Sequence, residues 1–364
     1  MSKKKVVVAM SGGVDSSVAA ALLKEQGYDV YGITMRLADW EETAGRKFGG
    51  CCGSKDFYDA RSVAQTLDIP HYIFDYTNDF RVSVIGYFKD SYMSGETPNP
   101  CIACNQHVKF DRLLAQAMAM GADYLATGHY AQIARDANGH CALKRAVDPS
   151  KDQSYVLYGL GQAELQKIMF PLGGYPKSEI RDIARKYGLK TAEKPDSQEI
   201  CFVPNLDYKQ FIREEVPEAQ RPTGPIIYKD GKVLGQHKGL PFYTIGQREG
   251  LGIAVGRPLY VMKLDVPSNT LVVGEKADVF SDAMVVREVT WVDGTAPQFP
   301  APADVKIRYK HKEDSARLEA GENGRVRVVF DEAQSAITPG QAAVFYQDDR
   351  VLGGGVIHQA VANV

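Results

Sequence analysis

The stretch AMSGGVDSS at residues 9–17 follows the apolar run VVV and has the composition of an anion-binding turn. Its glycines let the backbone bend sharply, and a helix starting there would point its N–H groups at a phosphate. Asp15 is unfavourable beside a phosphate unless Mg²⁺ lies between them. The lysine of a GK[ST] motif is missing, so this is not a Walker P-loop. The competing interpretation is a serine-capped helix after a glycine turn.

Cysteines provide the second group of reactive side chains. Cys101 and Cys104 form a CxxC in ETPNPCIACNQHVKF (96–110), and Cys201 stands in DSQEICFV. A zinc site needs four ligands, whereas the sequence has no second CxxC and only scattered histidines, so zinc is the less favoured interpretation. An iron–sulfur cluster with Cys101, Cys104 and Cys201 as ligands is a further alternative. The other interpretation is sulfur transfer, in which one thiol carries a persulfide sulfur and a second thiol breaks the S–S bond, leaving a protein disulfide. Cys104 and Cys201 meet this demand if Cys201 lies on a movable loop.

Composition limits the class of protein. The chain has 364 residues, of which 44% are hydrophobic, and a formal net charge of −2 at pH 7. This length predicts two or three domains. Because the net charge is slightly negative, a polyanion such as a nucleic acid would have to bind to local basic patches. No apolar run approaches the roughly 20 residues of a membrane span, and the first one is too short for a signal peptide. We therefore expect a cytoplasmic protein whose six cysteines do not form a disulfide framework.

Strand-like and helix-like segments alternate through residues 1–205, which predicts βαβ units and a doubly wound parallel sheet. Segments rich in glycine and proline indicate a small central domain over 206–275. From 276 to 364 short strands recur between turn signals, as in an antiparallel β-barrel. The predicted fold class is thus α/β, with a parallel-sheet domain, a small central domain and a C-terminal barrel. Residues 39–55 are expected to form a mobile surface loop.

Several motifs resemble those of a known family. SGGVDSS matches the SGGxDS motif of the ATP pyrophosphatase superfamily, whose members split ATP into AMP and pyrophosphate to adenylate a substrate oxygen. The chain also resembles the tRNA-specific 2-thiouridylase family in TPNP…CN…KF, KDQSYVL (151–157), DSQEICF (196–202), TIGQREGLG (244–252) and PGQAAVFY (339–346). The resemblance implies ATP-dependent 2-thiolation of the wobble uridine of tRNA (position 34), with sulfur from a cysteine persulfide.

The resemblance also assigns roles to individual residues. Cys104 resembles the family nucleophile, and Cys201 resembles the cysteine that bears the persulfide. The residues expected to bind ATP are Ala9, Met10, Ser11, Gly12, Gly13, Val14, Asp15, Ser16, Ser17, Met35 and Gly128. The residues expected to surround the target base are Asn99, Pro100 and Cys101. The residues expected to contact tRNA are His129, Lys151, Asp152, Gln153, Arg308, Tyr309 and Gln341.

Some of these assignments compete with structural roles. A structural hydrogen-bonding role explains His129 about as well as a contact with tRNA does. TPNP could be an ordinary turn, and the basic run RYKHK (308–312) could protect an exposed strand edge. Many family members carry aspartate where this chain has Cys101. A thiol replaces a carboxylate as a base near neutral pH only if its pKa is depressed.

The implied partners are tRNA and a sulfur donor. The resemblance points to the anticodon loops of the lysine, glutamate and glutamine tRNAs, and to a cysteine desulfurase or a sulfur-relay protein as the source of persulfide. Two other functions remain open. A nitrogen-transferring ligase of the same superfamily would explain the turn but leave the cysteines without a role. A non-catalytic tRNA-binding protein with a nucleotide-sensing turn would bind ATP without forming AMP.

Overall fold

The computed structural model describes residues 3–38, 54–196, 200–203 and 207–361. Within them the strands are β1 (Lys5–Ala9), β2 (Asp29–Arg36), β3 (His71–Asp75), β4 (Tyr124–Ala126), β5 (Gln132–Arg135), β6 (Cys141–Lys144), β7 (Ile168–Met169), β8 (Gly224–Tyr228), β9 (Val233–His237), β10 (Tyr260–Asp265), β11 (Thr270–Gly274), β12 (Phe280–Trp291), β13 (Ala301–Lys306), β14 (Asp314–Ala320), β15 (Val326–Ser335), β16 (Ala342–Gln347) and β17 (Arg350–Val361). The helices are α1 (Val14–Glu25), α2 (Ser54–Thr66), α3 (Thr77–Phe80, Arg81–Gly86 and Tyr87–Met93, consecutive), α4 (Pro100–Ala103, Cys104–Leu113 and Leu114–Ala119, consecutive), α5 (Gln162–Leu165), α6 (Lys177–Lys186) and α7 (Tyr208–Glu215).

Most of the loop expected at 39–55 cannot be compared with the structure. Residues 39–53, with Cys51 and Cys52, lie outside the described residues, and the last two positions of the expected loop already belong to α2. No helix in the described part of the chain is both long enough and apolar enough to cross a membrane.

The N-terminal region contains a parallel sheet with the strand order β3-β2-β1-β4-β7. Val6, Val7 and Val8 of the central strand β1 are fully buried. Val7 packs into one hydrophobic core, and its two neighbours pack into another, because both faces of the sheet are covered. The strand order reverses direction between β1 and β4, and in such sheets ligands bind beyond the carboxyl ends of the strands at this point. The predicted doubly wound α/β fold is confirmed.

Helix α1 starts directly after the turn and is held firmly in the domain. Ser17, Val18 and Leu23 are fully buried, and the helix ends before Gly27, which has a φ of +88°. The Gly27 N–H donates to the carbonyl oxygen of Lys24 over 3.0 Å. Because α1 is packed in this way, the N–H groups of its first turn keep a fixed position relative to the end of β1.

The remaining strands form the two β units expected after residue 205. One is a mixed sheet with the strand order β10-β11-β8-β9. Among the described strands of this sheet, β11 and β8 pair in parallel and the other neighbours pair antiparallel. β12, β15, β14, β13, β16 and β17 form an antiparallel sheet that closes into a barrel because β12 also pairs with β17. Closure removes the exposed strand edges of the sheet. The predicted central domain and C-terminal barrel are therefore present.

The hairpin β5–β6 joins the barrel although it lies far before it in the chain. Its strand β6 pairs with β17, with Lys144 opposite Arg350, and the Arg145 N–H donates to the carbonyl oxygen of Asp349 over 2.8 Å. The sequence pattern placed this segment with the parallel-sheet domain. Periodicity identifies a strand, but it does not tell which sheet the strand joins.

Candidate nucleotide and thiol site

The turn between β1 and α1 has a shape that requires glycine at its centre. Gly12 has a φ of +72°, and a Cβ atom built there would lie 2.2 Å from the carbonyl oxygen of Asp56. Gly13 is the N-cap of α1 and offers no side-chain cap. The first N–H groups of a helix have no acceptor within the helix. The turn therefore presents positively polarised N–H groups at the carboxyl end of β1.

The serine hydroxyls fix the backbone of the turn. Ser17 Oγ donates to the carbonyl oxygen of Gly13 over 2.7 Å, and Ser16 Oγ accepts the N–H of Ser11 at 3.1 Å. The Ser11 and Ser16 hydroxyl oxygens are 3.3 Å apart. A phosphate bound at the turn would thus accept hydrogen bonds from serine hydroxyl groups that already take part in these internal bonds.

Met35 and Gly128 lie on opposite sides of β1, as the strand order requires. β2, which contains Met35, pairs with one edge of β1, and β4, which ends shortly before Gly128, pairs with the other. A Cβ atom on Gly128 would lie 2.7 Å from the backbone nitrogen of Ser16 and 2.8 Å from the carbonyl carbon of Asp15. The chain after β4 therefore passes directly against the first turn of α1.

Asp15 takes part in a charged network beside the turn. Its Oδ1 accepts hydrogen bonds from the Tyr130 hydroxyl at 2.7 Å and from Lys177 Nζ at 2.6 Å. Lys177 Nζ also lies 2.9 Å from Asp196, whose other carboxylate oxygen is 2.8 Å from Lys151 Nζ. Burial opposes the shift, but Lys151 and Lys177 together hold the pKa of Asp196 below its ordinary value. Alternating charges thus connect the turn with the segment around residue 196.

Lys194 reaches the same turn from another direction. Its Nζ donates to the carbonyl oxygen of Gly12 over 2.9 Å, to Asp56 over 2.6 Å and to Asp59 over 2.7 Å. Burial opposes the shift, but the two carboxylates raise the pKa of Lys194. The sequence motifs identify neither Lys194 nor Lys177, because 182 residues separate Lys194 from Gly12 and 162 separate Lys177 from Asp15.

Helix α4 begins at the motif that carries Cys101 and Cys104. Asn99 Oδ1 accepts the N–H of Cys101 at 3.2 Å and that of the next residue at 3.4 Å, and Pro100 is the first helical residue. Asparagine at the N-cap followed by proline is a strong helix start. Cys104 opens a π-helical segment of α4. Such wider turns are frequent at functional sites.

Cys201 is positioned by the residue that follows it. Phe202 is buried, and its ring makes edge-on contacts with those of Phe80, Phe88 and Phe211, at centroid distances of 5.7, 5.2 and 5.2 Å. Cys104 and Cys201 are half-buried and pack against the same hydrophobic core. Residues 197–199 and 204–206, on either side of this segment, lie outside the described residues, so the movable loop expected around Cys201 stays a prediction.

Cys101 is electrostatically coupled to Cys201. Part of Cys101 is exposed to solvent, but its thiol group is surrounded by protein atoms, and this burial raises the pKa of the thiol. The nearby Cys201 raises the pKa further, and the Lys109 ammonium lowers it. Lys109 is oriented by Asn105, whose Oδ1 accepts its Nζ at 2.9 Å and whose Nδ2 donates to the carbonyl oxygen of Val156 over 3.0 Å. A raised pKa disfavours the thiolate form of Cys101 near neutral pH, which argues against its replacing a carboxylate base.

His129 lies in an aromatic environment beneath the surface. Its Nδ1 shares a 2.7 Å hydrogen bond with Thr127 Oγ1, and its ring lies 5.9 Å from those of both Phe110 and Phe170. Burial, with a smaller contribution from Lys109, lowers the pKa of His129 well below its ordinary value. The imidazole is therefore neutral, and the structural role left open by the sequence accounts for its contacts. A contact with tRNA stays a prediction.

Residues 151–153 make contacts within the protein. Lys151 binds Asp196, as described above, and Gln153 Oε1 accepts the N–H of Tyr130 at 2.9 Å. Asp152 is buried, and its carboxylate accepts from the N–H of Ala146 at 3.0 Å and from the Ser154 hydroxyl at 2.8 Å. Their predicted contact with tRNA would have to use these side chains in addition to, or in place of, the internal bonds.

Two barrel residues approach the thiol region. Gln341 Nε2 donates to the carbonyl oxygen of Thr97 over 2.8 Å, which seats the barrel on the segment before α4. Tyr309 is 38% exposed, and burial, Asp152 and Cys101 raise the pKa of its hydroxyl. Arg308, in contrast, donates to the carbonyl oxygen of Ser335 over 2.8 Å, and burial lowers its pKa.

The described residues contain no group of three or more His, Cys, Asp or Glu side chains placed to hold a metal ion. Cys101, Cys104 and Cys201 therefore do not form such a group in this arrangement. A single carboxylate, Asp15, is nevertheless a suitable protein ligand for Mg²⁺, which typically binds one or two carboxylates together with substrate phosphates and water. The donor set at the turn fits a magnesium ion that arrives with a nucleotide.

Family models match most of the chain. Residues 4–205 match one described as the tRNA methyl transferase HUP domain, residues 209–275 match the tRNA methyl transferase PRC-barrel domain, and residues 281–357 match the aminomethyltransferase beta-barrel domain. Two curated relatives are named tRNA-specific 2-thiouridylase MnmA. That of Carboxydothermus hydrogenoformans is 50% identical over 361 residues, covering 98% of each chain. That of Rhodospirillum centenum is 51% identical over 367 residues, covering 99% of this chain and 93% of the relative.

Solved structures show more distant similarity. A 4-thiouridine synthetase in complex with RNA and bound ATP is 18% identical, with a TM-score of 0.38, and the match covers 59% of this chain and 51% of the other. The NMN synthetase of Francisella tularensis is also 18% identical, with a TM-score of 0.32, over 53% of this chain and 66% of the other.

Proposed function

Because this chain belongs to the tRNA-specific 2-thiouridylase family, we propose that it is an ATP-dependent tRNA-uridine 2-sulfurtransferase acting on the wobble uridine, position 34. The observation that carries this proposal is the identity of about half of all residues to 2-thiouridylases over nearly the whole chain. The matching domain models are named for methyl transfer. Methyl transfer would leave Cys101, Cys104 and Cys201 without a role, whereas sulfur transfer uses thiols at this place.

The first half-reaction is adenylation at the turn. ATP binds along residues 9–17, with the polarised N–H groups of α1 on its phosphates, and Met35 and Gly128 flank the adenosine. The uridine 2-oxygen attacks the α-phosphorus, the bond to the bridging oxygen breaks, and pyrophosphate leaves. Mg²⁺ bound with the nucleotide near Asp15 would neutralise charge on the departing phosphates. Adenylation converts a poor leaving oxygen into AMP.

The second half-reaction transfers sulfur. Cys201 carries a persulfide, and its terminal sulfur attacks carbon 2 of the base, from which AMP leaves. The Cys104 thiolate then attacks the inner sulfur of Cys201, so that the S–S bond breaks and the electron pair stays on the base as 2-thiouridine. Alternatively, Cys104 first releases hydrosulfide, which attacks carbon 2. Both routes leave a disulfide between Cys104 and Cys201, and a dithiol reductant must reopen it.

RNA recognition is assigned to the surface around α4 and the barrel. A uridine flipped out of the anticodon loop would enter beside Asn99, Pro100 and Cys101. The residues proposed to contact tRNA remain His129, Lys151, Asp152, Gln153, Arg308, Tyr309 and Gln341. The proposed substrates are the lysine, glutamate and glutamine tRNAs. A cysteine desulfurase or a sulfur-relay protein in the cytoplasm would supply the persulfide.

Nucleoside mass spectrometry after incubation with unmodified tRNA, MgATP and a persulfide donor tests the proposal. We expect 2-thiouridine at the wobble position, with one AMP and one pyrophosphate per modified base. Cys104→Ser and Cys201→Ser should abolish thiolation, and Asp15→Ala should mainly reduce AMP formation. Absence of thiouridine in the wild type would disprove the function. Thiolation at the wild-type rate by either serine variant would disprove the sulfur steps.

A further inference from the structure

A cavity of about 620 Å³ lies between the N-terminal region and the barrel. Its walls come from α3, from the side of α4 that carries Gln106 and His107, and from β12, β16 and β17. Neither Cys101 nor Cys104 is among the described residues that line it, and Asn99 is the wall residue it shares with the site assigned to the target base. The volume is ordinary for a small-molecule site.

Close packing at two glycines fixes side chains of the cavity wall. A Cβ atom on Gly159 would lie 2.1 Å from Nε2 of Gln106, and one on Gly354 would lie 2.8 Å from the ring of Tyr158. A larger residue at either position would displace the Gln106 amide or the Tyr158 ring. The cavity is therefore bounded by side chains that pack directly against backbone.

The hydroxyl of Tyr158 faces the cavity without a partner. Tyr158 is only 3% exposed, and its hydroxyl forms no hydrogen bond with any of the described residues. Burial, and then Tyr87 and Glu288, raise the pKa of this hydroxyl, and both of these neighbours line the cavity. Because an unpaired buried hydroxyl is unfavourable, a polar group of a ligand in the cavity would gain from bonding to it.

The cavity carries an excess of negative charge. Glu96 accepts a 2.8 Å hydrogen bond from Arg287, whose Nε also lies 3.3 Å from the 71% exposed side chain of Glu288. Asp90 is exposed and forms no ion pair within the described part of the chain. Three carboxylates thus accompany one guanidinium, and His107 adds at most one further positive charge. Such a surface repels the phosphates of an RNA and attracts a cation.

The arrangement of the wall favours a long organic cation. Asp90 belongs to α3 and Glu288 to β12, so the two exposed carboxylates stand on different elements. The apolar side chains of Ile102, Ala342 and Val356 line the same space. No three His, Cys, Asp or Glu side chains of the described residues are placed to hold a metal ion. Separate carboxylates with apolar surface between elements suit an alkyl chain that carries several ammonium groups.

We propose that this cavity binds a linear polyamine, with one ammonium group at Asp90, another at Glu288, and the Tyr158 hydroxyl accepting a hydrogen bond from the ligand. The alkyl chain lies along the apolar part of the wall. The inference goes beyond the proposed function and does not depend on it. A ligand bound in this way connects α3 with the barrel, so it stabilises the folded protein in proportion to its concentration.

Isothermal titration of the full-length chain with spermidine, at physiological salt and without ATP or tRNA, tests the proposal. We expect one saturable site. Asp90→Asn and Glu288→Gln should each weaken binding about fivefold, or about 1 kcal/mol, the upper range for a solvent-accessible ion pair. Tyr158→Phe should weaken it by a similar factor through the lost hydrogen bond. Glu332→Gln, which removes an exposed carboxylate of β15 outside the cavity, is the matched control and should bind like the wild type.

Three results would overturn the proposal. The first is a wild type without saturable spermidine binding. The second is equal weakening by Glu332→Gln and Glu288→Gln, which would indicate general attraction to an acidic surface. The third is tighter binding of N-acetyl-arginine amide than of spermidine, which would mean that the cavity takes a single guanidinium group, such as a side chain of a partner protein.

Thermal unfolding provides the second measurement. Spermidine should raise the Tm of the wild type and of Glu332→Gln, and it should raise that of Asp90→Asn and Glu288→Gln less. Scans without ligand show whether each variant is folded. If Tyr158→Phe is unfolded, the two exposed carboxylate variants still decide the outcome, and equal Tm increases in all the folded variants would contradict the site.

Discussion

The side-chain amide of Gln341 donates a 2.8 Å hydrogen bond to the carbonyl oxygen of Thr97, although 244 residues separate the two. The reverse connection runs through the backbone, where the Thr97 N–H donates to the carbonyl oxygen of Pro339 over 2.8 Å. The barrel is thereby fixed to the segment that leads into α4, and α4 carries Cys101 and Cys104. The position of the barrel would therefore determine how the tRNA proposed to bind it reaches the thiols.

Replacing Gln341 should impair RNA use more than nucleotide use. We expect Gln341→Ala to raise the KM for tRNA about fivefold, which corresponds to the loss of one hydrogen bond of about 1 kcal/mol. The Kd for MgATP should not change, since the turn lies elsewhere. Steady-state thiolation and equilibrium ATP binding measure the two quantities. Gln359→Ala, at an exposed barrel position, is the control. A parallel loss of ATP affinity would contradict this division of roles.

Alanine at Gly12 should disrupt the turn. The residue has a φ of +72°, and its new Cβ would collide with the backbone of Asp56. We expect a loss of at least about 2 kcal/mol in the free energy of unfolding and loss of ATP binding. Gly27→Ala is a matched control, because Gly27 has a φ of +88° but no atom within 4 Å of the added Cβ. It should cost about 1–2 kcal/mol and leave ATP binding intact. Chemical denaturation and nucleotide titration give the comparison, and equal effects of the two variants would argue against the collision.

His129 should make the protein less stable in mild acid. Burial and then Lys109 lower the pKa of His129 well below its ordinary value of 6.5, so the folded protein keeps the ring neutral. The unfolded chain takes up a proton below pH 6.5, and stability from this group is therefore present above that pH and lost as the pH falls. The expected slope is about 1.4 kcal/mol per pH unit.

Denaturant unfolding of the wild type and His129→Gln between pH 5 and 8 measures this contribution. The difference in unfolding free energy between the two proteins should shrink below pH 6.5 and stay constant between pH 7 and 8. A constant difference over the whole range would show that His129 titrates alike in the folded and unfolded states.

Cys101 should react slowly with alkylating agents at neutral pH. Burial of the thiol, and then Cys201, raise the pKa of Cys101 above its ordinary value of 9.0, and the thiolate is the reactive form. Peptide mass mapping after iodoacetamide treatment should show a rate that still increases above pH 9. Lys109→Met should slow the reaction further at each pH, because the Lys109 ammonium favours the thiolate. A rate that levels off below pH 8 would mean that the pKa is depressed and that Cys101 could act as a base.

The sequence predicts those parts of the molecule whose determinants are neighbours in the chain. The turn could be identified because Gly12, Gly13 and Asp15 follow one another, and the sheet and barrel because strand and helix periods are local. Asn99 and Pro100 are a local signal for the start of α4, but the same TPNP letters also describe an ordinary turn, so the sequence alone does not decide between the two.

The charged network could not be predicted in this way. Lys177 and Lys194 lie on a helix and on the segment after it, where their surroundings resemble an ordinary solvated surface. Only the packing of α6 against α1 shows that both ammonium groups reach the turn. The pKa of Cys101 is raised by burial and by Cys201. The direction of this pKa shift therefore depends on the fold and does not follow from the residue type alone.

The hairpin β5–β6 has a consequence for how the protein is made. As the chain leaves the ribosome, this hairpin is complete long before β17 exists, and Arg145 and its acceptor Asp348 are 203 residues apart. Until the last strand is synthesised, the hairpin lacks its neighbour, and an open edge of this kind can pair with another nascent chain. A fragment cut before residue 276 would leave Lys144 of the hairpin permanently without its strand neighbour Arg350.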